Sequence, residues 1–551
     1  MIQFRTLFLS VFGLFMMACA REEIIVSEIS VQDTPIGMQA QKGRLRLKFK
    51  SRFAGKAEQA VYTRAGTGDI RIVSMKRLFP FAGKFEERTR KAGLHLWYEV
   101  EFDEQTPVTR ALALLGDTTE IEIAEPVYII RNTGGEGTVP VRSAGERNSD
   151  GTAPFNDPEL SRQWHYSNTG ELPNSVAGAD INLFAAWQKN QGSREVIVAV
   201  IDGGIDYRHE DLTGNVGNPA ELFGEPGVDD DGNGYIDDIY GWNFINGTNQ
   251  IEADDHGTHV AGTIGAENNN GVGVCGIAGG HGGNTGVWLL SCQLFGTIDG
   301  REVSASFPEM IKYAADAGAV IAQNSWGHDN ITYLPRADQE AIDYFIQYAG
   351  VDERGEQTGP MKGGVVIFAA GNENKDYRTY PAAYEKVVSV AAYAPDYKKS
   401  WYSNFADWVD IAAPGGTYGY GRKYNGECPV YSTLPDNQYG YMQGTSMACP
   451  HVSGIAALIV SQFGGPGFTP EKLLAHLYQG TRDIDVYNPE YAGRLGIGAA
   501  DAYLALAEDQ GIAPQAVDTL YCGNTSGVVD VTWQISADED DGKPFQYLVC
   551  W

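Results

Sequence analysis

From about residue 154 to 508 the sequence alternates two kinds of segment, and this alternation limits the fold more than any single motif. Short apolar runs ("VIVAVI", "VWLLSCQL", "GAVIAQ", "GVVIFAA", "VVSVAAY") are separated by stretches with helical spacing such as "FPEMIKYAADAG" and "DQEAIDYFIQYA". A strand that is apolar at every position has to be buried on both faces. Strands of that kind joined through helices return to one sheet in parallel, with the helices laid over its two faces. The expected class is α/β, three layers around a mainly parallel sheet. In such sheets chemistry gathers at the carboxyl ends of the strands, so the residues that leave those strands direct the search for function.

A chain of 551 residues exceeds the roughly 250 to 300 residues of one core, so further units are expected. Residues 42 to 131 supply one. "GRLRLKFK" and "LHLWYEVEF" alternate like strands, "TPVTRALALL" has helical spacing, and "IEIAEPVYII" reads as a closing strand. Residues 42 to 91 hold 15 Lys/Arg against 4 Asp/Glu, a charge of +11 in a chain whose total is −30. Opposite fields favour docking of this small α+β unit on the acidic remainder. That same acidity excludes a nucleic-acid partner, which needs a basic face.

The flanks read differently. "LFLSVFGLFMMA" has the length of a signal-peptide core and is too short to span a membrane. It ends in "FMMAC", which resembles the bacterial lipobox, with Cys19 as the lipidated residue; an ordinary signal peptide is the alternative. The chain is therefore expected to be exported to the bacterial cell envelope, lipid-anchored at the outer membrane or cell surface or else secreted, and to meet membrane only through Cys19. "NTGGEGTVPVRSAGERNSDGTAP" has no periodicity and is expected to be an exposed linker open to proteolytic nicking. At the far end "VVDVTWQISADEDDGKPFQYLVCW" alternates like part of a β-sandwich, with a loose likeness to a fibronectin type III module. The expected boundaries are 1–19 for the signal peptide, 20–134 for the basic unit, 135–153 for the linker, 154–508 for the α/β body and 509–551 for the short β segment. Six further cysteines could form disulfides in an exported chain, but no CxxC spacing points to a thiolate metal site.

Four residues stand where chemistry is expected. Asp202 ends the run "VIVAVI", where a desolvated carboxylate needs a partner, although it also reads as a turn former before two glycines. "DDHGTHVAGTIGA" places His256 and His259 three apart; a metal pair is one reading, but the glutamate of a zinc-protease HExxH is missing and the small residues suit a helix packed tightly on a sheet. His256 as a base held by Asp202 is preferred. Asn372 follows "GVVIFAAG" and either tolerates a left-handed turn or aims an amide at developing negative charge. Ser446 in "GTSMACPHVSG" is either a helix cap or a nucleophile.

Taken together, "VAVIDGGID", "HGTHVAGTIGA", "FAAGNE" and "GTSMACPHVSGIAAL" are similar to the signature segments of the subtilisin-like serine proteases, in the same Asp-His-Ser order. "NSWG" and "YSNFADWVDIAAPG" extend the likeness, which covers residues 155 to 508. The resemblance implies a subtilisin-like three-layer fold and a serine endopeptidase. Ser446 would be the nucleophile, His256 its base, Asp202 the orienting carboxylate and Asn372 an oxyanion donor. It further implies that Ser325, Trp326 and Gly327 pair with extended protein or peptide substrates, and that Ala369, Ala370 and Gly371 line the primary pocket, with Thr379 near its floor. The basic unit then resembles the family's propeptide, an intramolecular inhibitor removed by self-cleavage. A narrow processing protease or peptide ligase, and a non-catalytic surface binding protein on a protease fold, are the alternatives.

One acidic loop stands apart. "DDDGNGYIDD" offers oxygens at alternate positions, Asp229, Asp231, Asn233, the carbonyl of Tyr235 and Asp237, with Gly234 where an EF-hand loop turns; calcium is the ion that fits, although Tyr240 stands where the loop's closing glutamate would be, and a solvated acidic turn is the alternative. Asp211 matches a calcium ligand of some relatives, but its partner loop, 268 to 274, carries one extra residue.

Overall fold

The computed structural model describes residues 40–56, 70–116, 119–132, 139–140, 153–418, 428–508, 520–525 and 528–533. The signal run, Cys19 and most of the linker lie outside them, and of the C-terminal segment only the hairpin Leu520–Thr525 with Val528–Trp533 is described.

The body is built on a nine-stranded sheet. Its spatial order is Thr481–Arg482, Ala499–Ala500, Ile411–Pro414, Val388–Tyr393, Val365–Ala369, Ile321–Asn324, Ile197–Asp202, Trp288–Gln293 and Gly241–Asn243. Every neighbouring pair is parallel except the terminal Thr481–Arg482. The uninterrupted apolar runs are the buried central strands, all six residues of Ile197–Asp202 included. On one face lie the helices Asp255–Gly265 and Thr445–Phe463, and on the other Phe307–Asp316 and Arg336–Tyr348. Successive strands are added first on one side of Ile197–Asp202 and then on the other, which puts a topological switch at the carboxyl end of that strand.

The basic unit forms a four-stranded antiparallel sheet in the order Ile72–Arg77, Trp97–Phe102, Ala40–Phe49, Ile121–Tyr128, with its own core against the helix Val108–Gly116. Its outer residues Leu78, Phe79, Leu94, Trp97 and Ile130 join the hydrophobic cluster of the helices Phe307–Asp316 and Arg336–Tyr348. The charge asymmetry expected to dock the two is realised there as ion pairs. Arg46 meets Asp338 at 2.8 Å and Arg88 meets Asp316 at 2.5 Å, both fully buried, and Lys48 meets Glu340 at 2.8 Å. Burial alone would raise Asp338, but Arg46 and His328 hold it below the usual carboxylate range. Glu125 caps the helix Arg336–Tyr348 by accepting the N–H groups of Arg336 (2.8 Å) and Ala337 (3.1 Å). Burial and nearby Asp338 push that glutamate up to about 7.

Candidate active site and metal centre

Asp202 ends the strand at the switch point and is completely buried. Its Oδ1 accepts the N–H of Gly203 (2.7 Å) and lies 2.7 Å from Nδ1 of His256. The histidine is delivered by a capped helix: Asp254 accepts the N–H groups of His256 (3.0 Å) and Gly257 (2.9 Å), and fixes the start of Asp255–Gly265. That helix meets the strand end closely enough that a Cβ on Gly257 would sit 2.4 Å from the carbonyl of Gly203. Burial pulls the His256 pKa down, but the adjacent Asp202 charge and hydrogen bond prevail and leave it above the ordinary value. His259 goes elsewhere. Its Nε2 faces the carbonyls of Val430 (3.1 Å) and Gly440 (3.2 Å), so it ties the helix to the hairpin Val430–Leu434/Gln438–Met442 and shares no site with His256.

Ser446 occupies the first turn of the buried helix Thr445–Phe463, after Gly444 at φ 150°, a conformation side-chain-bearing residues rarely adopt. Four residues later Pro450 has no N–H, so the carbonyl of Ser446 has no donor within the helix. The Ser325 hydroxyl fills that place at 2.8 Å, while the Ser446 hydroxyl donates to the Ser325 carbonyl at 3.2 Å. Nε2 of His256 is buried with no hydrogen-bond partner. Asn372 accepts at Oδ1 from the N–H and the hydroxyl of Thr445, both 2.9 Å, so Nδ2 is its donor end.

The strand edge expected to take a peptide is filled by the chain itself. Ile130–Asn132 pairs antiparallel with Trp326–His328, in the register Ile130 to His328, Arg131 to Gly327 and Asn132 to Trp326. Farther along, Val139–Pro140 pairs with Tyr441 and Gly440. Ala369, Ala370 and Gly371 line a cavity of about 150 Å³ beside this strand, together with Thr379, whose hydroxyl donates to the carbonyl of Ala370.

The acidic loop closes differently from an EF-hand. Asp231 gathers with Glu221 and Asp238, their ligand atoms within 4.8 Å of one another. The amides of Asn218 and Asn233 donate into this group: Asn218 at 2.9 Å to Asp231 and Asn233 at 3.0 Å to Asp231 and 3.3 Å to Asp238. Asp229 instead accepts the N–H groups of Asn233 and Gly234, and Asp237 that of Gly227. Glu221 and Asp238 escaped sequence reasoning because neither falls on the alternating positions of the loop. Burial, joined by mutual repulsion, pushes Asp231 up to about 8 and Asp238 to about 6. Oδ1 of Asp238 and Oε2 of Glu221 are buried without a partner. Such a set, all oxygen, anionic and short of positive charge, fits a hard divalent cation. Asp211 lies apart, its carboxylate taken by Asn270 and Val274.

Comparison with known proteins agrees with this architecture. Residues 193–498 match the profile described as "Subtilase family", and residues 55–170 that described as "N-terminal of Subtilase family". The chain is 34% identical over 279 residues to the thermophilic serine proteinase of Bacillus sp. (strain AK1), covering 50% of this chain and 55% of that one. To thermitase of Thermoactinomyces vulgaris it is 31% identical, covering 50% and 78%. The chain thus spans about half the length of the first of these relatives and more of the second. Among solved structures, fervidolysin from Fervidobacterium pennivorans shares the fold with a TM-score of 0.55 at 20% identity, over 85% of this chain and 61% of that one.

Proposed function

The chain belongs to the subtilase family, and from that premise we propose that it is a serine endopeptidase made as a self-inhibited, self-processed precursor. The observation that carries this reading is the 2.7 Å contact of Asp202 with His256 at the sheet's switch point, beside a strand edge that already holds a peptide. In the reaction the Ser446 hydroxyl turns from the Ser325 carbonyl toward Nε2 of His256. That nitrogen accepts the proton as Oγ attacks the substrate carbonyl, and later returns it to the leaving amine. Asp202 holds the ring in its Nδ1–H tautomer and stabilises the imidazolium. The N–H of Ser446, at the helix start, and Nδ2 of Asn372 take up the oxyanion.

Ile130–Asn132 holds the place of a substrate ahead of the cut, so processing falls between Asn132 and Val139. Glu221, Asp231 and Asp238 would hold calcium as a structural ion, with the side-chain N–H groups of Asn218 and Asn233 bracing the carboxylates of Asp231 and Asp238. Cys19 would carry a lipid that holds the unprocessed precursor at the envelope; after the cut the lipid stays with the N-terminal unit, and the mature enzyme keeps that anchor only while the unit remains docked.

Purified Ser446→Ala protein is expected to remain a single chain, whereas the wild type yields a new N-terminus within residues 133 to 139 on Edman sequencing. Trimming of the Ser446→Ala chain at that bond, with no other protease present, would defeat the self-processing reading. A serine-directed phosphonate is expected to label Ser446 in the mature enzyme; absence of label and of peptide cleavage would favour a binding protein on a protease fold. Products from a peptide library, read by mass spectrometry, would separate broad digestion from narrow processing.

A further inference from the structure

The acidic loop has two sides. Asp231 and Asn233 turn their side chains inward to the cluster with Glu221 and Asp238. The residues between and after them, Gly232 and Gly234, turn outward against the N-terminal unit. The carbonyl of Gly232 accepts the N–H of Lys84 at 2.9 Å. A Cβ on Gly83 would stand 2.2 Å from that same oxygen, and one on Gly234 would stand 2.6 Å from the carbonyl of Phe81. The two backbones touch because neither carries a side chain there, and Gly83 (φ 49°) and Gly234 (φ 99°) both adopt conformations that favour glycine.

The contact lies on a stretch of backbone that carries Asp231 of the ligand set and Asn233, which donates to Asp231 and Asp238. Any group that fixes Asp231 and Asn233 also fixes the carbonyl of Gly232 between them. We propose that the loop Asp229 to Asp238 is a cation-dependent docking surface for the segment Phe81 to Lys84, so that a divalent cation in the cluster and the N-terminal unit on the loop strengthen one another's binding. This rests on the cation reading of Glu221, Asp231 and Asp238. By linkage the coupling is reciprocal: the docked unit tightens the cation by the same factor by which the cation tightens the docked unit. After processing, the severed unit leaves the enzyme more slowly while the cation is bound.

The test uses the full chain carrying Ser446→Ala, which keeps the unit attached. Calcium affinity is measured by calorimetry in this chain, in the same chain with Gly83→Ala, and with Gly93→Ala. Gly93 is a control in the same unit: it also has positive φ (76°), yet a Cβ there meets only the Lys48 side chain, at 4.0 Å. Gly83→Ala is expected to weaken calcium binding by about 5-fold or more, and Gly93→Ala to leave it unchanged. Independently of either variant, calcium is expected to slow hydrogen exchange at the amides of residues 81 to 85 relative to chelator, and to leave those of Ile121–Tyr128 alone. Equal calcium affinity in the three chains, with exchange at 81 to 85 indifferent to calcium, overturns the coupling and leaves the cation site standing. No calcium binding by any chain overturns both.

Discussion

Two buried anionic sites in this molecule meet the cost of a desolvated carboxylate in different ways. At the strand end, Asp202 finds its counter-charge inside the chain: an imidazole 2.7 Å away, with a pKa raised toward the charged form. Some 30 residues on, Glu221, Asp231 and Asp238 are buried together, faced among the described residues by amide dipoles and the Tyr313 hydroxyl, and burial, with repulsion from neighbouring carboxylates, raises their pKa values. The first arrangement suits a site where a proton has to move during turnover. The second suits a site that needs a fixed external charge and gains rigidity when it arrives. The comparison teaches that burial of charge by itself does not identify chemistry; the nature of the partner does.

The largest effect that tests this contrast is Asp202→Asn. An amide there keeps the shape but leaves the imidazole in the wrong tautomer, and kcat is expected to fall by about 10⁴ with KM nearly unchanged, the scale known for an orienting aspartate of this kind. With His256 as the proposed base, kcat/KM of the wild type is expected to decline as pH falls through a pKa above the ordinary histidine value. A profile flat down to pH 5 would break the assignment. Asn372→Ala removes the proposed oxyanion donor and is expected to cost about 10² to 10³ in kcat, or about 3 to 4 kcal/mol, the scale that subtilisin itself sets. A loss in KM alone would make Asn372 a substrate contact rather than an oxyanion donor.

The same contrast shows how far the sequence could be read. Asp202, His256, Asn372 and Ser446 were legible as candidates because each leaves a continuous apolar run or opens a helix, and a parallel sheet collects such ends on one edge whatever the details of packing. The N-terminal unit was legible as a docked basic body, yet the pairs Arg46 with Asp338 and Arg88 with Asp316 were not, since nothing local ties positions more than 200 residues apart. Nor does any motif foretell that Ile130–Asn132 occupies the strand Trp326–His328; that depends on how the unit is set on its helices. In the acidic loop the alternating pattern pointed to the segment that brings Asp231 and Asn233 into the acidic group, but not to the other carboxylates gathered there. Asp229 and Asp237 are spent on the loop's own backbone N–H groups, and their places in the cluster fall to Glu221, from a preceding helical turn, and Asp238, one residue later.

At the cluster, Asp238→Asn is expected to leave kcat within about twofold at saturating calcium, since Asp238 touches no reacting atom. Its signature is thermal. A cation present at a hundred times its Kd contributes about 2.7 kcal/mol, and chelation is expected to lower the Tm of Ser446→Ala protein by on the order of 5 °C. In Asp238→Asn, Ser446→Ala protein that calcium-dependent difference is expected to shrink to near zero. An undiminished calcium shift would place the ion elsewhere, Asp211 being the next carboxylate to test.

The smallest effect comes from a third arrangement, imidazoles buried without a carboxylate. His451 donates Nδ1–H to the carbonyl of Met447 (2.7 Å) and so accepts at Nε2 from Nδ1 of His165 (2.7 Å), while His259 spends Nε2–H on the carbonyls of Val430 and Gly440. Each tautomer is thereby fixed as neutral, and Nε2 of His165 and Nδ1 of His259 are bare and buried. Burial is the main cause that lowers all three, to about 3 for His259 and His451 and well below the ordinary value for His165. The unfolded chain binds protons at these histidines near pH 6.5 and the folded chain does not, so their contribution is whole above that pH and is lost as pH falls. Between pH 6.5 and 5 His259 and His451 each give up about 2 kcal/mol, and His165 acts in the same direction. The Tm of Ser446→Ala protein is therefore expected to fall over that interval, and His165→Phe to make the fall shallower, whereas His256, held near its charged form by Asp202, contributes in the opposite direction. A steeper fall in His165→Phe would mean that the acid sensitivity of the core lies in other groups and that the missing carboxylate is not what separates these histidines from His256.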